Sequence, residues 1–253
     1  MIKLLDLVDA IYVINLPERV DRRRRMDSVL STLNLSFNDE RVHLFPAVKV
    51  ADAQGFPSPG VRGCFLSHKT ILEKARASGC ERVLILEDDV EFATNTLGLL
   101  ETLDVFQEQT IPPGFFYFGF EDPDGPSKYV DRRTQSLSLN IRPGRLVCAH
   151  AYIVSADIFD ALIAHLDECL EGQPGDTELG PMDVDGAFNA FRRRYPDVLA
   201  TVTAPQVAWQ RDTHSDLHAR RWHHAPMMRP VLTPLRRFKN SINRLRRSGR
   251  LFR

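Results

Sequence analysis

The chain has 253 residues, of which 43% are apolar and 26% charged, and its formal net charge is zero. This size and composition indicate a globular protein with one large core, and the lack of any run of about eighteen apolar residues argues against a membrane-spanning helix. The N-terminus has no apolar core of a signal peptide, and the four cysteines include no CxxC pair, so we expect a cytoplasmic protein with reduced thiols and neither a disulfide framework nor a zinc site.

Apolar runs alternate with amphipathic segments along the first third of the chain. Residues 10–16 form an apolar run typical of a buried strand, and a second strand is predicted over residues 42–48. Between these strands, apolar side chains recur at helical spacing after Pro17, namely Met26, Val29, Leu30 and Leu33. Glycines and prolines predict a loop over residues 51–62, and a helix is predicted from about residue 64 to residue 78.

The next apolar run, residues 83–86, leads directly into three carboxylates, Glu87, Asp88 and Asp89. Such a run is typical of a buried strand in an α/β sheet, and ligands bind in the crevice at the carboxyl ends of these strands. Adjacent negative charges in a partly desolvated crevice repel one another unless a cation neutralises them. A hard divalent metal shared with substrate phosphates would do so. The alternative is that the acids open a solvated loop or cap the next helix.

The rest of the chain continues the alternation. Helical stretches are predicted over residues 95–108, 158–169 and 183–195, and strands over residues 115–120, 147–155 and 198–203. Residues 121–144 are polar and rich in Pro and Gly, which predicts an irregular excursion or a short hairpin. Strands that alternate with helices predict an α/β fold, with a layered, mostly parallel sheet and helices on both faces.

An arginine-rich segment opens the first predicted helix. Arg19 precedes the four arginines at positions 22–25, which fall in the first turns, where the helix macrodipole disfavours cations. A phosphate bound at this strand-to-helix turn would relieve the conflict, so one or two of these arginines are candidates for contacting a diphosphate. The alternative is a solvated helix face on which Asp21 is the N-cap.

Two histidine-containing segments are weaker candidates. Ser67 and His68 are predicted in the first turn of the second helix, where free N–H groups are available, although a lone His68 is more often a hydrogen-bonded structural residue. In the predicted strand over residues 147–155, His150 alternates with Cys148 and Tyr152 on one face, which favours a core histidine.

The last candidates lie near the C-terminal third of the chain. Asp183 and Asp185 stand at a predicted helix start after a Gly- and Pro-rich loop, where each could be an N-cap or a general base for an acceptor hydroxyl. Residues 209–218 have no clear periodicity and predict a loop that folds over a ligand. His214 or His218 could offer an imidazole to a metal there.

In their order along the chain, these segments resemble glycosyltransferase family 25, the bacterial lipopolysaccharide and lipooligosaccharide sugar transferases related to the animal collagen galactosyltransferases. The resemblance covers about residues 10–217. The pair formed by Gly63–His68 and Ile85–Val90 is its most specific part. The other matching positions are Ile14, Asn15, Leu16, Arg19, Arg22, Arg23, His150, Ala151, Tyr152, Pro181, Asp183, Gln210, Ser215 and Asp216.

The resemblance implies a GT-A-like, Rossmann-related fold and an inverting transferase that uses a nucleotide-sugar donor, commonly UDP-galactose, and a glycan or lipid-linked saccharide acceptor. It implies a Mn²⁺ or Mg²⁺ cofactor held by Asp89 with Glu87 and His214. The general base would be Asp183 or Asp185, with Asp216 as a third candidate. Donor contacts would come from Asn15, Arg19, Arg22, Arg23, Ser67, His68, Glu87, Asp88 and Gln210.

The charge distribution predicts a separate C-terminal segment. Residues 236–253 hold eight Lys and Arg and no acid, so the sequence predicts a transferase domain over residues 1–230 and a basic tail, amphipathic or disordered, over residues 231–253. This tail suits the anionic cytoplasmic face of a membrane. Nucleic-acid binding is not expected, because no aromatic platform accompanies the charge.

Two other functional classes fit the acidic strand end. One is a Mg²⁺-dependent phosphoryl-transfer or receiver-like domain, in which acids at strand ends also hold the metal. The other is a catalytically silent protein that binds nucleotide sugars or acts as a membrane adaptor.

Overall fold

The structure is a computed structural model that describes residues 4–108, 110–123, 128–131 and 133–211. Fifteen helices and strands follow one another within them, apart from two short 3-10 turns. The first nine are β1 (Ala10–Asn15), α1 (Val20–Thr32), β2 (Val42–Pro46), α2 (Pro59–Ala77), β3 (Arg82–Glu87), β4 (Val90–Phe92), α3 (Thr96–Leu100), α4 (Asp104–Gln107) and β5 (Phe115–Tyr117). The last six are β6 (Ser138–Ile141), β7 (Ala151–Ser155), α5 (Phe159–Glu171), α6 (Val184–Arg194), β8 (Ala200–Ala204) and β9 (Ala208–Gln210).

Seven strands form one sheet in the order β2-β1-β3-β7-β5-β8-β6. β1 is parallel to β2 and β3, and β5 is parallel to β8, whereas β7 and β6 are antiparallel to their neighbours. Five strands therefore point one way and two the other. β4 and β9 form a separate antiparallel pair beside the carboxyl end of β3.

Both faces of the sheet are covered. Alternate side chains of β3 enter two different cores, Val83 and Ile85 on one face and Leu84 and Leu86 on the other. The first core is completed by α2, α5 and α6, and the second by α1, α3 and α4. The predicted α/β class, with a layered, mostly parallel sheet and helices on both faces, is confirmed.

α2 begins earlier than the sequence analysis predicted, at Pro59 and not near residue 64. Ser58 is its N-cap, and its side chain accepts a hydrogen bond from the Val61 N–H at 3.1 Å. Pro59 fits the first helical position because its missing N–H has no helical partner there. As a result, Ser67 and His68 lie in the third turn of the helix, and the prediction that they occupy the first turn is wrong.

Three further boundaries differ from the predictions. β5 ends at Tyr117 and not at residue 120. β7 begins at Ala151, and Cys148 before it has a left-handed backbone with φ of 73°, so Cys148, His150 and Tyr152 do not alternate along one strand. The stretch over residues 121–144 contains β6, which pairs with β8 at the edge of the sheet.

None of the helices in the described part of the chain combines the length and hydropathy that crossing a membrane requires. The predicted boundary at residue 230 and the predicted basic tail lie outside the described residues.

Candidate active site

The three acids at the end of β3 are held in a tight connection between two strands. Glu87 is the last residue of β3, and its N–H donates to the His150 carbonyl at 3.0 Å. The Asp89 carbonyl accepts from the Arg211 N–H at 2.9 Å, and β4 begins at the next residue. The side chains of Glu87, Asp88 and Asp89 therefore leave a fixed backbone in different directions.

Asp88 is neutralised within the chain. The Asn15 side-chain amide donates to Oδ2 of Asp88 at 2.7 Å, and the Arg22 guanidinium donates to Oδ1 at 2.6 Å. Arg22 also reaches Oδ2 of Asp89 at 3.4 Å. Asn15 and Asp88 are buried, and the Arg22 side chain is 12% exposed. Three predicted donor-binding residues thus meet, but here each binds another side chain of the protein.

Glu87 and Asp89 are less completely compensated. The Gln210 side-chain amide lies 3.4 Å from Oε2 of Glu87 and 3.3 Å from Oδ1 of Asp89. Burial, followed by the charges of Asp88 and Asp185, raises the pKa of Glu87 to about 8. Burial and the charge of Glu87 raise the pKa of Asp89 to about 7. Closely spaced carboxylate oxygens that carry surplus negative charge are a donor set that fits Mn²⁺ or Mg²⁺.

Two more carboxylates approach from the start of α6. Asp183 occupies the N-cap position without making a capping side-chain hydrogen bond. Asp185, two residues further along, accepts from the Cys148 N–H and the Gly186 N–H, each at 3.0 Å. Burial raises the pKa of Cys64, and the charges of four carboxylates raise it further, which shows that they surround one thiol: Glu87, Asp185, Asp183 and Asp89.

α2 contributes Cys64 and His68 on the same face, one turn apart. His68 Nε2 lies 3.3 Å from Oε1 of Glu87, and Nδ1 lies 2.9 Å from the Tyr152 hydroxyl. The Cys64 sulfur is 3.8 Å from the same Glu87 oxygen. Burial lowers the pKa of His68 to about 4, so its imidazole is neutral at pH 7. His68 was predicted as a site residue and Cys64 was not, although their spacing of four residues was a usable signal for a shared helix face.

Ser67 points away from this cluster. Its hydroxyl donates to the Gly63 carbonyl at 2.7 Å and accepts from the Val48 N–H at 2.8 Å, and the side chain is fully buried. A Cβ atom on Gly63 would lie 2.3 Å from the Val48 carbonyl oxygen. Gly63 therefore allows a close approach of α2 to the protein's own backbone, and Ser67 holds that contact.

Three of the arginines at the start of α1 form ion pairs within the protein: Arg19, Arg22 and Arg25. Arg19 is the N-cap residue and forms an ion pair with Asp21 at 3.0 Å, so the prediction that Asp21 is the N-cap is wrong. Arg25 pairs with Glu91 on β4, a contact that sequence reasoning did not foresee. Arg23 also lies on α1, and it forms no ion pair with an acid of the described ranges. The acids that follow β3 attract these cations to a helix start that would otherwise disfavour them.

Gln210 belongs to a strand and not to the predicted loop, because residues 208–210 form β9 against β4. This pairing places its amide over Glu87 and Asp89. The predicted metal ligand His214, its alternative His218 and the third base candidate Asp216 lie outside the described residues.

Comparison with known proteins bears on the family. Residues 45–117 match the sequence model described as "Glycosyltransferase family 25 (LPS biosynthesis protein)". A Homo sapiens protein named "Inactive glycosyltransferase 25 family member 3" is 35% identical over 111 residues, which are 38% of this chain and 19% of the human protein. A "Glycosyltransferase 25 family member" of Aedes aegypti is 38% identical over 106 residues, which are 34% of this chain and 17% of the mosquito protein. The predicted resemblance is confirmed.

The chain spans less than a third of the length of the curated relatives it matches. Among solved structures, it is similar to the "crystal structure of a glycosyltransferase involved in the glycosylation of the major capsid of PBCV-1", at 12% identity and a TM-score of 0.41. That match covers 76% of this chain and 81% of the other.

Proposed function

Because residues 45–117 match the model of glycosyltransferase family 25, we propose that the chain is a transferase of this family, that it transfers a sugar from a nucleotide donor to a saccharide acceptor with inversion, and that it needs a divalent metal. The observation that carries this proposal is the pair formed by Glu87 and Asp89 at the carboxyl end of a central strand, where the Gln210 amide lies 3.4 Å from an oxygen of Glu87 and 3.3 Å from an oxygen of Asp89. A cation between the protein and the diphosphate would replace the protons that burial favours on these two groups and would compensate the two carboxylates together.

Asp89 and Glu87 would hold Mn²⁺ or Mg²⁺, and Gln210 would orient both carboxylates through its amide. When bound, the metal supplies the positive charge that stabilises a leaving nucleoside diphosphate. Arg22 neutralises Asp88 and Asn15 donates a hydrogen bond to it, so that Asp88 is compensated within the protein and Glu87 and Asp89 are the acids left for the metal. UDP-galactose is the donor to test first, because it is common in the family.

Asp183 is the general base that we propose for the acceptor hydroxyl. Asp185 already accepts two backbone N–H groups, which fix its carboxylate in the structure and leave it a positioning role, although burial raises its pKa. Asp183 occupies the N-cap position of α6, at the start of the helix and among the carboxylates near Cys64. An acceptor hydroxyl between Asp183 and the metal-bound donor would be placed for in-line attack.

Calorimetry tests the donor site. Titration of UDP into the full chain should release heat in the presence of Mn²⁺ and none in its absence. We expect Asp89→Asn to abolish this dependence, because the amide removes the charge that holds the metal. Asp160→Asn is the matched control, since Asp160 is an exposed acid paired with Arg76 far from the cluster. Equal Mn²⁺-dependent binding by Asp89→Asn and wild type would overturn the proposed metal site.

A catalytically silent nucleotide-sugar-binding protein is the second candidate. The observation that favours it is the name of the human relative, which describes that protein as inactive. Both candidates bind UDP with Mn²⁺, so calorimetry does not separate them. Turnover does: the silent protein would bind UDP-sugars without releasing UDP, whereas the transferase would release it by transfer or slow hydrolysis.

We further propose that the acceptor is a glycan or a lipid-linked saccharide at the cytoplasmic face of a membrane. The support is the charge of residues 236–253, where each basic residue near an anionic surface contributes about 1 kcal/mol. Vesicles with and without phosphatidylserine test this. Cosedimentation should require the anionic lipid and weaken with added salt, and equal binding to neutral vesicles would contradict it.

A further inference from the structure

The ligand atoms of Cys64, His68 and Glu87 form a compact triangle in which all three lie within 4.8 Å of one another. Nε2 of His68 is 3.3 Å and the sulfur of Cys64 is 3.8 Å from Oε1 of Glu87. We propose that these three residues form a second metal site, specific for a thiophilic divalent cation such as Zn²⁺. This site is separate in chemistry from the oxygen donors around Asp89.

The distances match tetrahedral coordination. With zinc bonds of about 2.0 Å to nitrogen and oxygen and about 2.3 Å to sulfur, tetrahedral angles separate N from O by about 3.3 Å and S from O by about 3.5 Å. The two separations from Oε1 of Glu87 differ from these values by a few tenths of an ångström at most, and the Cys64 sulfur lies within 4.8 Å of His68 Nε2. A cation can therefore enter with only small side-chain adjustments, and three protein ligands leave a fourth position for water.

The surroundings fix the ligands before a metal arrives. Cys64 and His68 are four residues apart on α2, so the rigid helix holds them side by side. The Tyr152 hydroxyl is 2.9 Å from Nδ1 of His68. Donation from Nδ1–H to this hydroxyl leaves the Nε2 lone pair facing Glu87, which is the arrangement that metal-binding histidines use.

Glu87 connects the two sites through different oxygens. Oε1 faces Cys64 and His68, whereas Oε2 faces Gln210. The thiophilic site thus takes the oxygen that the site around Asp89 does not use. Neither the transferase activity nor a bound nucleotide is needed for this binding, so its test is independent of the proposed function.

Cobalt spectroscopy tests the inference. Co²⁺ titrated into the full chain, kept reduced without a chelating thiol, should produce a thiolate-to-cobalt charge-transfer band that saturates at one equivalent. Cys64→Ser should remove the band and weaken Co²⁺ binding at this site by more than about 100-fold, since even the loss of an outer partner weakens metal sites by about 10–100-fold. Cys80→Ser is the control and should keep the band, because Cys80 is a partly buried thiol in the connection between α2 and β3.

Two further results separate the outcomes. Asp89→Asn should also keep the thiolate band, even if it abolishes Mn²⁺-dependent UDP binding. In wild-type protein, Zn²⁺ should protect Cys64 from iodoacetamide, as read by mass spectrometry, and this measurement needs no variant to fold. Absence of a thiolate band in the wild type, an unchanged band in Cys64→Ser, or alkylation of Cys64 at the same rate with and without Zn²⁺ would each overturn the site.

Discussion

Glu87, Asp88 and Asp89 are neighbours in sequence but have different physical roles. Asp88 is enclosed by Asn15 and Arg22, whereas Glu87 and Asp89 share one amide and hold raised pKa values. The sequence locates this cluster because three acids after an apolar run are unusual. The sequence does not show which of the three acids is paired within the protein. The partners of Asp88 lie 66 and 73 residues away in the chain, and only the register of β1 beside β3 brings them close.

Arg22→Gln should destabilise the fold. It leaves the buried Asp88 carboxylate without its charged partner, and breaking such a pair costs about 3–5 kcal/mol. The free energy of unfolding, measured by urea denaturation, should fall accordingly. The double variant Arg22→Gln with Asp88→Asn should recover most of the loss, because it no longer buries an unpaired charge. If the double variant is as unstable as Arg22→Gln alone, Asp88 is not the partner that matters.

Asp183 and Asp185 should respond differently to replacement by Asn. We expect Asp183→Asn to lower kcat by about 10²–10⁴-fold, the range that a general base contributes, with unchanged affinity for UDP. Asp185→Asn should instead lower the free energy of unfolding, because an amide accepts the two backbone N–H groups less well. Steady-state kinetics and urea denaturation on both variants give the comparison. The opposite pattern, with kcat lost in Asp185→Asn alone, would move the base to Asp185.

Side chains of α6 hold the irregular segment over residues 142–148 beside the active site. Asp185, Asn189 and Arg192 lie on one face of the helix and bind backbone groups of residues 142–148. Asn189 donates to the Leu146 carbonyl at 2.7 Å and accepts from the Leu146 N–H at 2.9 Å, as a strand would. Arg192 donates to the Arg142 and Gly144 carbonyls. These contacts give hydrogen-bond partners to backbone groups of a segment that is not part of a regular β-strand.

Asn189→Ala should therefore destabilise the protein by about 1–3 kcal/mol for each Leu146 group left without a partner. Asn38→Ala is the matched control, because Asn38 is exposed, and surface replacements stay within about 0.5 kcal/mol. Urea denaturation measures both. A change in Asn189→Ala no larger than in the control would show that water replaces the side chain and that α6 does not hold the segment.

Element boundaries were predicted well where burial produces a pattern. α5 and α6 followed their apolar stripes closely, since one face of each packs on the sheet. β6 was missed because it is an edge strand with mostly exposed side chains, and Ile141 is 60% exposed. A signal for the true start of α2 was present, since Ser58 followed by Pro59 is a cap and first-turn pair. This signal was overlooked because the frequent Gly and Pro of residues 51–62 favoured a loop prediction for the whole segment.

At the scale of the whole molecule, alternating strands and helices were enough to predict the α/β class and the layering. They were not enough to predict the strand order, because an apolar run carries no information about direction. β7 lies between β3 and β5 and runs against both. This placement brings Tyr152 next to His68 and the Cys148 N–H next to Asp185. These contacts of the site therefore depend on a strand pairing that the periodicity of the sequence does not reveal.

The pH dependence of stability follows from the raised pKa of Glu87. The folded carboxyl has a pKa of about 8 and the unfolded one about 4.5, so the folded state holds more protons between these values. The resulting stabilisation is complete below about pH 4.5 and is lost as the pH rises through about 8. His68 opposes this slope only below about pH 6.5, because its folded pKa is lowered to about 4.

Without metal, the free energy of unfolding should fall from about pH 7 to about pH 8, and Glu87→Gln should remove most of this slope. Saturating Mn²⁺ should stabilise the wild type more at the higher pH, since metal binding competes with protons on the same oxygens. Urea denaturation at each pH gives the result. Stability that rises with pH over this range in the metal-free wild type would contradict the assigned direction.

We propose that this chain uses a metal at Glu87 and Asp89 to transfer a sugar from a nucleotide donor. The most direct test of this proposal is UDP release from a panel of UDP-sugars, led by UDP-galactose, with and without Mn²⁺. We expect Mn²⁺-dependent release from at least one donor by the wild type and by Asp160→Asn, and a loss of about 10²-fold or more in Asp89→Asn, in line with the several kcal/mol that a metal contributes. Mn²⁺-dependent binding of UDP-sugars without UDP release from any of them would contradict the transferase proposal and favour the catalytically silent nucleotide-sugar-binding protein.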